Sequence, residues 1–170
     1  MLCVIAKLDD RSTGKLETLR RAAVPDAAAR RPLHGHITIA SYLGDDESRF
    51  HHFCKEMMDG MRSFTVAYET VEVLEETSII VATPSKTGVL DSLHQAIAVQ
   101  YNDGLDQWTG LDRWYPHTTL LYSPELDLHT ICRKMMKDFV PFPADICRVE
   151  FSYVLKDGYE IVDSIDLPPR

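Results

Sequence analysis

The strongest constraint in this sequence is one order of elements, strand, helix, strand, helix, strand, that runs through the chain twice. Leu2-Cys3-Val4-Ile5-Ala6-Lys7-Leu8 is short, apolar and β-branched, and Asp9-Asp10 with Ser12-Thr13-Gly14 interrupts it. That predicts a buried strand followed by a helix start. The helix is expected over Lys15 to Val24, stopped by Pro25. His36 to Leu43 alternates as a strand does, Gly44-Asp45-Asp46 turns the chain, and Glu47 to Met61 puts Phe50, Phe53 or Cys54, Met57 and Met61 on one helical face. Phe64 to Leu74 reads as the third strand, with Glu75-Glu76 as the turn after it.

The second run begins with a strand at Ser78 to Ala82, stopped by Pro84, and a helix from Thr87 to Tyr101. A loop from Asn102 to Trp114 precedes a strand at His117 to Tyr122, and Pro124-Glu125 opens a helix to about Phe139. Two long strands, Asp145 to Leu155 and Tyr159 to Leu167, meet at Lys156-Asp157-Gly158. The halves, about 1–76 and 77–170, are each too small to bury a full core alone. The expected fold is therefore a single α+β domain over 1–170, internally duplicated and bilobal, with two mainly antiparallel sheets lining a central cleft and helices outside. The outer turns and the Asn102 to Trp114 loop should border that cleft.

In both halves the third element opens on the same triplet. His36-Ile37-Thr38-Ile39 and His117-Thr118-Thr119-Leu120 lie 81 residues apart. Strand side chains alternate, so His36 and Thr38 share one face, and His117 and Thr119 do likewise. An imidazole gives or takes a proton near neutral pH, and a hydroxyl two residues on can bond an oxygen of the same bound group. Seven histidines make roughly one such match expected from composition alone. Two at equivalent places are a different matter, and His34, His51, His52, His94 and His129 do not carry the pattern. Thr118, which faces away from His117, is expected to serve the strand only.

Paired His-x-Thr motifs in a duplicated α+β chain resemble the two-histidine (2H) phosphoesterase superfamily. The resembling residues are His36-Ile37-Thr38-Ile39 and Pro116-His117-Thr118-Thr119-Leu120, the second preceded by Trp114-Tyr115. Within the superfamily the chain is most similar to the 2′-5′ RNA ligase or RNA 2′,3′-cyclic phosphodiesterase branch. The resemblance implies catalytic histidines at His36 and His117, and Thr38 and Thr119 on the non-bridging oxygens of a phosphodiester. It implies no metal and no cofactor. It further implies that His117 acts as base on water while His36 protonates a departing 3′ oxygen, leaving a 2′-phosphate.

The expected activity is thus hydrolysis of 2′,3′-cyclic phosphate ends or 2′-5′ linkages in RNA or nucleotides. Two alternatives stand beside it. One is a noncatalytic module that binds nucleotides or RNA ends. The other is a metallohydrolase in which His34, His36 and His117 hold the ion, since His-x-His on one strand face can bite a metal. Tyr115 shares the parity of His117 and is a candidate base contact, with Trp114 behind it, while Tyr42 shares the parity of His36. Tyr122 alternates with Thr118 and Leu120 and is expected in the core.

Net charge of −8 and a pI near 5.3 disfavour duplex DNA and fit a nucleotide or short RNA. Arg30, Arg31 and Arg113 stand just upstream of the motifs and can offset that charge at the cleft mouth, whereas Arg20 and Arg21 read as a solvated helix face. The acidic turns at Asp9-Asp10, Asp45 to Glu47 and Glu75-Glu76 suit helix N-termini. Met57, Met58, Met61, Met135 and Met136 read as helix core. Cys3, Cys54, Cys132 and Cys147 show no C-x-x-C spacing, which predicts free buried thiols in a reducing cytoplasm. No run of apolar residues is long enough to span a membrane, and the chain is expected to act as a monomer without a membrane partner.

Overall fold

The computed structural model describes residues 1–24, 31–74, 76–85, 88–155 and 158–170. The expected stop at Pro25, Arg30, Glu75, Thr87 and the Lys156-Asp157 turn lie outside them. The elements run β1 (Leu2–Leu8), α1 (Asp10–Ala23), β2 (His36–Tyr42), α2 (Glu47–Met58), β3 (Phe64–Val73), then β4 (Ile79–Pro84), α3 (Gly88–Tyr101), β5 (Thr118–Tyr122), α4 (Leu128–Asp138), β6 (Phe142–Leu155) and β7 (Gly158–Asp166).

Helix boundaries follow the caps. The Asp9 carboxylate accepts from the Ser12 backbone N at 2.8 Å and its hydroxyl at 2.6 Å, so α1 starts well before Lys15 and carries Gly14 inside it. Asp127 caps α4 by accepting from the Thr130 N–H, which moves that start from Pro124 to Leu128. Asp46 caps α2, and Gly60 at φ +72° follows its end. The helix therefore stops at Met58, which is buried with Phe50 and Cys54 as expected, while Met57 and Met61 are partly buried against the core. Met135 is buried as expected, but Met136 is exposed.

The strands form one seven-stranded antiparallel sheet in the order β2-β1-β6-β3-β4-β5, with β7 also on β6. β6 is what makes it one. Its first residues, Phe142 to Ile146, pair with β3, while Arg148 to Leu155 pair with β7 and Ile146 to Tyr153 pair with β1. The two sheets expected from the sequence are thus joined through a strand long enough to serve both. The helices join them again: α1 packs against α4 and β5, and α3 packs against β2, so the first helix of each half lies on the other half. The core between sheet and helices includes Val4, Ala6, Leu16, Ile37, Ile39, Phe50, Leu90, Ile97, Leu120 and Phe151.

Two surface expectations change. Arg20 is buried, because its guanidinium forks onto Glu17 at 2.9 Å twice and donates to the Arg31 carbonyl at 2.6 Å. Arg21 remains exposed. All four cysteines are free, but Cys147 is exposed while the other three are buried. No helix among the described residues is long and apolar enough to cross a membrane.

Candidate active site

The motif triplets sit at the entrances of β2 and β5, the second one residue earlier than its strand. His36, Thr38, His117 and Thr119 are half-buried, while Ile37, Ile39, Thr118 and Leu120 are buried, which is the alternation the strand period requires. Just beyond each threonine the register slips. Val4 pairs with Ala40 and Ile5 with Thr38, leaving Ile39 unpaired; Ile80 pairs with Leu121 and Val81 with Thr119, leaving Leu120 unpaired. Both motif strands therefore carry a bulge at the same place, and a bulge reverses the facing of the residues after it. Tyr42, expected toward the cleft, is instead buried and stacked on Phe50 at 4.4 Å. Tyr122, expected in the core, is 68% exposed.

The carbonyls released by the β2 bulge are taken up from the second half. Trp114 Nε1 donates to the Thr38 carbonyl and His94 Nδ1 to that of Ile39, both at 2.9 Å, and the two donor rings stack at 4.0 Å. Thr118 does more than hold a strand: its hydroxyl donates to the His36 carbonyl at 2.8 Å and accepts from Tyr68 at 2.5 Å. The two motifs are thereby locked together through backbone groups.

Each motif histidine is oriented in the same way. His36 Nδ1 lies 2.6 Å from the His34 carbonyl and His117 Nδ1 lies 2.7 Å from the Tyr115 carbonyl. A carbonyl only accepts, so each Nδ1 carries a proton, and each Nε2, which bonds no other described residue, can exchange one. Burial pulls the His36 pKa down to about 4, and the neighbouring His34, His117 and Lys7 add to the fall. Burial also lowers His117, opposed by its carbonyl bond and by the Glu72 charge. Neither threonine hydroxyl is engaged by another described residue, so both are open to a ligand.

A cleft of about 430 Å³ opens beside Thr38 and His117, walled also by Trp108, Arg113, Trp114 and Tyr115, while His36 and Thr119 do not line it. That volume lies in the range of clefts that hold small ligands, roughly 300–1,000 Å³. The Asn102 to Trp114 loop borders it, tied to β2 where the Ser41 N–H donates to Thr109 Oγ1 at 3.0 Å. Tyr115 lines the cleft, and its hydroxyl donates to Glu72 at 2.5 Å. Arg113 lies over the Trp108 ring at 5.5 Å. Arg31 is exposed. His36 is flanked instead by His34 and by Tyr159 of β7, whose ring centres are 5.2 and 5.1 Å from its own. Tyr159, Glu72 and Glu150 were not singled out from the sequence, since only strand pairing brings β3, β6 and β7 to the motifs. His34 turns its Nε2 to Glu150 at 3.0 Å, and no three His, Cys, Asp or Glu side chains among the described residues group as metal ligands.

Comparison with known proteins agrees with this architecture. The family model of the 2′-5′ RNA ligase superfamily matches residues 8–158. The chain belongs to that superfamily. A solved phosphoesterase shares 16% identity with a TM-score of 0.66, covering 98% of this chain and 97% of the other. Escherichia coli LigT complexed with ATP shares 14% identity at a TM-score of 0.64, with 98% and 96% covered. LigT complexed with 3′-AMP shares 16% at 0.63, with 98% and 97% covered. No curated protein matches significantly.

Proposed function

We propose that this protein is a metal-independent phosphoesterase that hydrolyses 2′,3′-cyclic phosphate ends or 2′-5′ linkages of RNA or nucleotides, with His36 and His117 as its acid and base. The observation that carries the reading is the matched pair of imidazoles, each held at Nδ1 by the carbonyl two residues before it and each with Nε2 free. Two such rings suffice to move both protons of a hydrolysis. His117 takes the proton of the attacking water, the P–O bond to the 3′ oxygen breaks, and His36 supplies that oxygen with a proton, leaving a 2′-phosphate. Thr38 and Thr119 bond the non-bridging oxygens, where charge grows in the transition state. Arg113 on the cleft wall supplies positive charge to a nucleotide despite the acidic total. The solved relatives that hold ATP and 3′-AMP support a nucleotide-sized ligand.

The test is phosphorus NMR of the products from a panel of 2′,3′-cyclic nucleotides and 2′-5′ oligoadenylates. A 2′-phosphate product is expected from the cyclic substrates. A 3′-phosphate would reverse the orientation, and binding without turnover across the panel would leave a nucleotide-binding module in place of an enzyme. Thr38→Val and Thr119→Val, which keep shape and remove one donor, should each lower kcat by about 10-fold or more. Steady-state rates on the same substrate check this, and unchanged kcat in both variants would remove the threonines from the site.

A further inference from the structure

The carbonyls that hold His36 and His117 belong to irregular chain just before the strands, where no ladder fixes them. In both halves the residue that owns the carbonyl is tied down by a glutamate. His34 Nε2 donates to Glu150 on β6 at 3.0 Å, and Tyr115 Oη donates to Glu72 on β3 at 2.5 Å. The sheet register makes these glutamates counterparts. Thr38, Ile5 and Glu150 stand in one row across β2, β1 and β6, and Thr119, Val81 and Glu72 stand in one row across β5, β4 and β3. Directly paired residues share a face, so both glutamates lie on the cleft face with the motif threonines.

Glu150 is 3% exposed. Burial pushes its pKa up, but the hydrogen bond from His34 and the charges of His34, Lys7 and Arg148 outweigh it and hold the group as a carboxylate. A buried charge is a poor source of stability, so its place beneath the site calls for another reason. Glu72 takes a second bond, from the Thr83 hydroxyl at 2.8 Å. We infer that Glu150 and Glu72 are positioning residues, each anchoring the side chain of the residue whose carbonyl fixes the Nδ1–H tautomer of the adjacent motif histidine. The catalytic consequence rests on the phosphoesterase reading. The anchoring is a property of the folded chain and is measured without substrate.

Nitrogen-15 NMR of labelled histidine in the full-length protein reads the tautomer of each ring. In the unsubstituted protein both His36 and His117 should be Nδ1–H. Glu150→Ala should bring His36 into a mixture of tautomers and leave His117 unchanged, and Glu72→Ala should do the reverse. Glu→Gln at either position keeps an acceptor oxygen and should restore the single tautomer. Tyr115→Phe removes one hydroxyl without changing shape, so it cuts the His117 tether even where an alanine variant fails to fold. On a substrate that turns over, each alanine variant should lose about 10-fold in kcat with little change in KM, the scale of a lost supporting bond. Rings that keep one tautomer in every variant, or that change together whichever glutamate is removed, would overturn the inference. Absence of turnover would count against the phosphoesterase reading alone, because the tautomer assay does not depend on it.

Discussion

Alanine at His36 or at His117 is expected to cut turnover by about 10² to 10⁴-fold in either case, the range of a general acid or base. The fold should survive both changes. Each ring is half-buried at a strand entrance and, among the described residues, hydrogen-bonds only a carbonyl of its own local chain, so neither substitution unpairs the sheet. The lock between the halves uses the His36 carbonyl, which alanine retains. Since acid and base act on one reacting phosphate, the double variant should be little slower than either single one. Rates on a cyclic nucleotide beside urea midpoints check both statements. A near-native rate from either single variant would end the paired mechanism.

The second large effect is in pH. Unperturbed imidazoles near pKa 6.5 place an acid-base optimum at roughly pH 6 to 8, which is the sequence-level expectation. The structure moves it. Burial disfavours the imidazolium, taking His36 to about 4 and His117 below its usual value. One ring must be neutral and the other protonated in the free enzyme, so kcat/KM should peak between about pH 4 and 6.5 whichever ring is the acid. Above that window the rate should fall about 10-fold per pH unit as the proton is lost. A bound phosphodiester is an anion beside both rings and favours the imidazolium, so the kcat profile should lie to the alkaline side of the kcat/KM profile. The stability sign follows from the same shifts. Between about pH 6.5 and the lowered native values the unfolded chain binds more protons, so stability declines as pH falls through that window. Profiles of both constants from about pH 4 to 9 decide the matter. A kcat/KM optimum at or above about pH 7 would show that the rings are better solvated than their burial implies.

Much of this site is legible in the sequence. The alternation in His36-Ile37-Thr38-Ile39 and His117-Thr118-Thr119-Leu120 sorts cleft from core because a strand has a period of two, and burial follows it up to each threonine. The facings of Tyr42 and Tyr122 were lost because a bulge leaves no mark in a hydrophobic pattern: Ile39 and Leu120 look like ordinary strand residues. Arg20 looked like a solvated helix residue because its partners include a backbone carbonyl, that of Arg31, brought close only by folding.

The element order, the equivalence of two triplets 81 residues apart, and hence the choice of candidate histidines and threonines are all written along the chain. These are local properties, set by periodicity and turn chemistry. Only folding makes one strand, β6, common to both halves and stands Glu150 and Glu72 in the rows of Thr38 and Thr119. Glu72 in Val71-Glu72-Val73 and Glu150 in Val149-Glu150-Phe151 read simply as polar positions of alternating strands. Whether such a position meets solvent or the floor of the candidate site depends on which strand pairs beside it and in which register. Pairing energy is spread over many residues distant in sequence, so no short motif records it.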